Sequence, residues 1–291
     1  MASLSNIRKR ISIIQKTSKI TQAMKLVSTI KIQHQKNRFT DIANFMDSLY
    51  NLLHDLAKSS KYDNVFNNQP KSKKKLYILI SSSLGLCGAF NINVAKHLLS
   101  VLKHEDDIYV IGNRGLSYLR SRGYTNQIKA TFNFDTPDFN YLEIYPITQT
   151  AINEFKQGNY SEIHIVYTKY VNSLNFTPVD LKVLPIERSL FNVHDIDETI
   201  INELNEENKV IEFEPKRSEI ITSLVPFFLG SLLVSCIIES QLCEYTSRRN
   251  AMETATDNAN ELINNLKTIY NQVRQNKITQ EITEIIAGAS E

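Results

Sequence analysis

The first 69 residues contain neither Gly nor Pro, and apolar positions recur through them at helical spacing. Ile7, Ile11 and Ile14 stand four and three apart, and the pattern passes on through Ile13, Thr17, Ile20, Met24 and Val27. Gly and Pro are the strongest helix breakers. Their absence predicts one helix to about Leu56, capped at Ser3 or Ser5 and roughly 80 Å long at ~1.5 Å per residue. The other end mirrors it: after Pro226 there is no further Pro, and after Gly230 no Gly until Gly288. Met252, Ala255, Ala259, Leu262, Leu266, Ile269 and Val273 alternate steps of three and four, which predicts a heptad seam. It slips, then resumes at Ile278, Ile282, Ile285 and Ala289. A body of ordinary size does not cover helices of this length, so the two are predicted to pair with each other.

Between them the texture changes. LYILISS (76–82), DIYVIG (107–112), IHIVYTKY (163–170) and FTPVDLKVLPI (176–186) read as strands, while NINVAKHLLSVL and ITQTAINEFKQG read as helices. This alternation is the rhythm of an open, mostly parallel sheet. The predicted class is therefore α/β: a long antiparallel coiled coil of N- and C-terminal helices with an inserted Rossmann-like domain. The expected boundaries are a first helix over 1–58, a linker over 59–74, the α/β domain over 75–190, an acidic connector over 191–218 and a second helix over 219–291.

The nineteen residues from Ile220 to Ile238 carry no charge, long enough to span a membrane. Pro226, Gly230 and four hydroxyl residues interrupt the run, and Glu219 and Glu239 flank it, so a buried helix is the expectation. The net charge of +2 hides an asymmetry: the first forty residues hold nine basic side chains and no acidic one, while acid gathers in 195–219. Such a split predicts an acidic partner inside or outside the chain. Three cysteines, Cys87, Cys236 and Cys243, form no metal-type spacing and point to a reducing compartment.

Signatures of chemistry are missing where the sheet invites them. No G-x-G-x-x-G follows the first strand, no Walker-type loop occurs, and the second strand ends in Gly112 and Asn113 where a dinucleotide site wants an acid. Cys87 sits on a strand-to-helix turn, but a nucleophile elbow wants Gly two residues to either side, and Ala89 stands in the second place. Gly85, Cys87 and Gly88 read instead as a tight structural turn. The six histidines form no ligand pair, so no catalytic residue, cofactor or metal is expected. Two readings remain. One is a mechanical protein built on a coiled coil. The other is a nucleic-acid binder whose basic helical arm (Arg8, Lys9, Arg10, Lys16, Lys19) grips phosphates, although its first aromatic is Phe39.

Three segments favour the first. SLSNIRKRISIIQKTSKITQAMKLVSTIK resembles the N-terminal helix of the gamma subunits of F-type ATP synthases, and GLCGAFN resembles that family's internal motif. AMETATDNANELINNLKTIYNQVRQNKITQEITEIIAGA is similar to its C-terminal segment nearly residue for residue. The resemblance implies a non-catalytic rotor shaft inside a ring of three alpha and three beta subunits. The α/β domain then rests, with the epsilon subunit, on the membrane c-ring. It places Met24 and Lys25 against the moving loops of beta and makes Arg248, Arg274, Gln275, Thr279 and Glu281 further subunit contacts. It also implies a peripheral location on the cytoplasmic face of a bacterial inner membrane, or the matrix side in an organelle. Ser83 and Leu84 before the central turn depart from the family's acid-then-base pair, and Arg249 stands where the family has Met. The tetrapeptide KITQ occurs at 19–22 and again at 277–280. Because the family's C-terminal helix projects beyond its partner, the copies are predicted not to touch, and Met24 to lie nearer the level of Arg248.

Overall fold

The structure, a computed structural model, describes residues 4–58, 72–134, 141–186 and 217–289. The expected linker and acidic connector fall almost wholly outside them. The elements are α1 (Leu4–Lys58), β1 (Lys75–Ile80), α2 (Phe90–Val101), β2 (Asp107–Ile111), α3 (Asn113–Ser121), β3 (Ile128–Phe132), α4 (Tyr141–Lys156), β4 (Glu162–Tyr170), β5 (Phe176–Leu184) and α5 (Arg217–Ala289). They form two compact units. One comprises Met1–Lys31 with Tyr245–Glu291, the other Ile32–Glu244, so each long helix contributes to both.

The larger unit is built on a five-stranded sheet of order β3-β2-β1-β4-β5. The first four strands are parallel, and β5 returns antiparallel to β4. β3 escaped the sequence reading because it is a short edge strand, IKATF, whose residues alternate between half-buried and exposed. Alternation along β1 divides the core in two. Ile78 and Ile80 join Ile163, Ile165 and Tyr167 beneath Met46, Leu49, Tyr50 and Leu53 of α1, and Ile144 and Ile147 of α4. Tyr77 and Leu79 face the other way, with Val110 and Val166 beneath Val94 and Leu98 of α2 and Leu119 of α3.

The charge-free run of α5 closes the first of these cores. Its apolar window is long enough to cross a membrane, yet 72% of it is buried inside the protein. Phe228, Leu229, Leu232, Leu233, Cys236 and Ile237 all pack in the cluster with α1 and α4. Pro226 lies within α5 rather than at its boundary. Gly230 is needed for close approach: a Cβ there would stand 2.8 Å from the Tyr141 hydroxyl.

Candidate functional site

In the smaller unit the two long helices run antiparallel and meet through side chains that hydropathy alone does not select. Ser18 Oγ donates to Asn260 Oδ1 at 3.1 Å, and the Thr21 and Thr256 hydroxyls share a hydrogen bond of 2.7 Å. Lys25 Nζ reaches Glu253 Oε1 at 2.7 Å, which lowers that carboxyl below its ordinary value. Lys31 lies 5.2 Å from the centre of the Tyr245 ring. In the three hydrogen-bonded pairs the residue numbers add to 277 or 278, which fixes the register.

The buried stripe of α1 differs from the expected one. Ile7 is buried, Ile11 and Ile14 half-buried, and the stripe continues at steps of four and three through Ser18, Thr21, Lys25 and Ser28. Ile13, Ile20 and Val27 point outward and are more than half exposed. The same correction applies to α5. Met252, Ala259 and Leu266 face inward as expected, but Leu262 and Ile269 are 51% and 45% exposed, and Ile263, at 7%, takes the inward place. The cause is chemical: both helices carry apolar residues on two adjacent faces, and the paired face contains the small hydroxyl residues that let backbones come close.

The register sets the level of each expected contact residue. Met24 stands level with residues 253 and 254, so it is far closer to Arg248 than to Ile278. The two KITQ copies lie far apart. Leu4, the first helical residue, is level with about residue 274. From Arg274 to Ile286, α5 is exposed on every side, including Arg274, Gln275, Thr279 and Glu281. Thr279 donates to its own helix at Gln275 O, and Glu281 pairs with Lys277 at 3.7 Å. Ile278, Ile282 and Ile285 form a bare stripe there, 43%, 52% and 71% exposed. Arg248 differs from the others: it is 7% exposed, with its guanidinium 5.8 Å from the Tyr245 ring centre.

The GLCG turn follows β1. Leu86 and Gly88 adopt left-handed backbone with φ of 62° and 57°. Asn91 anchors the turn, accepting the Ser82 N–H at 2.9 Å and donating to Cys87 Sγ at 3.1 Å. Open α/β sheets bind ligands outside the carboxyl ends of their strands, where the strand order reverses. In this sheet that point lies between β1 and β4, and protein fills it. Cys87, Phe90 and Cys243 form a buried cluster there, flanked by Tyr170 and Phe176, and Cys243 Sγ donates to Thr168 O at 3.5 Å. Burial pushes the Cys243 thiol up, away from the reactive thiolate. Among the described residues no group of three His, Cys, Asp or Glu is placed to hold a metal. A concavity of about 560 Å³ lies at the amino ends of the strands beside Lys74, Asp107 and Tyr160. Its carboxylates are already engaged: Asp107 pairs with Lys74 at 2.6 Å and accepts the Tyr160 hydroxyl at 2.8 Å, and Glu154 accepts from Asn159 Nδ2 at 2.6 Å.

Sequence reasoning passed over Ser18, Thr21, Glu253, Thr256 and Asn260. Extending the Ile7, Ile11, Ile14 spacing without regard to hydropathy reaches the first two.

The family model described as ATP synthase matches residues 3–290. The ATP synthase gamma chain of Malacoplasma penetrans is 37% identical over 292 residues, covering 99% of each chain. That of Mycoplasmoides gallisepticum is 38% identical and covers both chains completely. Among solved structures, the rotor of Euglena gracilis mitochondrial ATP synthase superposes with a TM-score of 0.65 at 18% identity, covering 94% of this chain and 98% of that one. The central stalk of the Tetrahymena thermophila enzyme gives 0.59 at 21% identity, over 81% and 99%. Full-length agreement in sequence and in fold places this chain in the ATP synthase gamma-chain family.

Proposed function

We propose that the chain is the central rotor shaft of an F-type ATP synthase, coupling proton-driven rotation to conformational change at the catalytic beta subunits. The observation that carries this reading is the apolar surface left bare by the helix pair. Ile13, Ile20 and Val27 on α1 and Ile278, Ile282 and Ile285 on α5 form stripes that no residue of the pair covers. Apolar stripes of this extent mark contact with another protein, and a sleeve of three alpha and three beta subunits is the partner that membership of the family supplies. A smooth apolar bearing suits rotation, because dispersion contacts are individually weak and non-directional whereas fixed ion pairs hold one angle.

In this reading Met24 and Lys25 meet the moving loops of beta, with Lys25 held in place by Glu253. Arg274, Gln275, Thr279 and Glu281 form the upper contact set on the bare end of α5. Arg248 acts by keeping the helix pair packed around Tyr245 rather than by presenting its side chain. The filled crevice fits a subunit that carries torque while catalysis belongs to beta. The α/β unit rests with the epsilon subunit on the c-ring, and the protein is peripheral on the cytoplasmic face of a bacterial inner membrane. The basic-arm alternative gains no observation of its own: Arg8, Lys9, Arg10, Lys16 and Lys19 are exposed, as any solvated helix face is. Native mass spectrometry of the tagged chain purified from its own cells tests the reading. It predicts one copy per three-plus-three ring with ATPase activity; recovery alone or with nucleic acid contradicts it.

A further inference from the structure

Four aromatic rings form a chain across three helices of the larger unit. Phe45 of α1 meets Phe227 of α5 edge to face at 6.1 Å, Phe227 lies 5.6 Å from Tyr141 of α4, and Tyr141 lies 6.0 Å from Tyr145. Phe45, Phe227 and Tyr145 are 42%, 39% and 42% exposed. Leu142, on the Tyr145 face of α4, and Leu52, two turns beyond Phe45, extend the strip at 70% and 48%. A contiguous bare apolar strip of this kind marks a contact site. Charge narrows what covers it. Residues 39–57, 141–155 and 218–247, which build this part of α1, α4 and α5, contain no Lys or Arg. Asp41, one turn before Phe45 on the same face, and Glu143, next to Leu142, are both exposed; the next basic residue along that face of α1 is Arg38. Among the described residues, cations of this chain sit over the rings of Tyr118, Tyr160 and Tyr245 but over none of these four.

We propose that this aromatic strip docks a partner protein through a segment that carries arginine or lysine among apolar residues. Ring faces attract cations, most strongly where water is excluded, and a guanidinium stacked on a ring still has donors for a carboxylate one turn away. Asp41 stands at that distance from Phe45. Leu52 and Leu142 offer apolar cover to the hydrocarbon stems and neighbours of such a cation. Other occupants fit worse. Anionic lipid headgroups and nucleic acid meet carboxylates here and no basic anchor. A second copy brings the same acids and no cation, so a self-complementary contact sets like charges together. The chemistry of the partner stands on the fold alone; that it is a subunit of the synthase rests on the rotor reading.

A photo-reactive benzophenone side chain in place of Tyr145 identifies the occupant. The full-length chain is purified in its complex from its own cells, illuminated, and the joined peptides sequenced. The expected product links this position to another protein, at a segment where Arg or Lys stands within about one turn of apolar residues. Asp41→Lys should cut its yield severalfold and leave the melting temperature of the free chain unchanged, because Asp41 is exposed. Attachment to lipid, to nucleic acid, to a second copy or elsewhere on this chain overturns the proposal. So does the absence of any attachment, or a yield indifferent to Asp41→Lys. Should the probe at Tyr145 prevent folding, the more exposed Leu142 carries it under the same criteria. Ring stoichiometry of the same preparation judges the rotor reading separately. An intact ring without the expected product overturns this proposal alone, and the expected product without a ring overturns the rotor reading alone.

Discussion

Gly112 closes β2 with φ of 95°, and a Cβ there would stand 2.2 Å from the Ser81 carbonyl oxygen. Both terms are backbone constraints, so no rotamer change relieves them. Gly112→Ala is expected to destabilise the chain by about 3 kcal/mol or more. Urea unfolding measures this, and a loss below about 1 kcal/mol contradicts the packing described. Glu162 supplies a second test at this scale. Burial alone would raise its carboxyl, but hydrogen bonds from Lys75, His164 and Lys182 prevail and hold it at about 2. A depressed carboxyl stabilises above its ordinary value and loses that contribution as pH falls through its folded value. The stability difference between the native chain and Glu162→Gln should therefore shrink between about pH 4.5 and pH 2. A constant difference across that window contradicts the network. At this scale the sequence was half legible. The GLCG stretch read as a turn, and it is one, but the left-handed residue before the cysteine is Leu86. Gly85 instead leaves room for the Arg114 guanidinium, 3.2 Å from where its Cβ would be. A contact across about thirty residues of chain leaves no local mark.

Helix existence was plain from the missing Gly and Pro, whereas the paired face was not. Spacing cannot choose between two adjacent apolar faces, because a hydrophobic pattern assumes that the most apolar stripe faces inward. Here the inward stripe includes Ser18, Thr21 and Ser28, and apolar residues are spent on the outside. Two neighbouring positions separate the readings. Ile263→Ala should lower stability by roughly 2–4 kcal/mol as a buried truncation, while Leu262→Ala should cost less than about 1 kcal/mol. Equal losses in chemical denaturation would restore the Leu262 seam. Register is tested separately. Cysteines placed at Ser18 and Asn260 should form a disulfide readily under mild oxidation, and cysteines at Ile20 and Ile278 should not; the reverse pattern contradicts the pairing.

The strand–helix rhythm of the middle segment revealed the sheet because three of its five strands are apolar runs and a fourth, FTPVDLKVL, alternates apolar with polar residues. What no rhythm revealed is that the binding crevice is filled, since Cys243 reaches it from about 150 residues beyond Cys87 and Phe90. The bare end of α5 makes a prediction for the assembled complex. Replacing Ile282 and Ile285 by Asp should leave the melting temperature of the free chain unchanged, because both are exposed, and cut ATP-driven proton pumping severalfold. A melting shift with normal pumping would make the stripe part of the chain's own packing.

Rotation of the shaft is observed directly in a single-molecule assay. The three native cysteines are buried, so a probe attached to Leu174→Cys, in the exposed β4–β5 turn, reports on the shaft of a complex immobilised through its beta subunits. With ATP supplied, a rotor shaft turns in one direction in three equal steps per revolution. ATP hydrolysis at a normal rate with the probe stationary would contradict it.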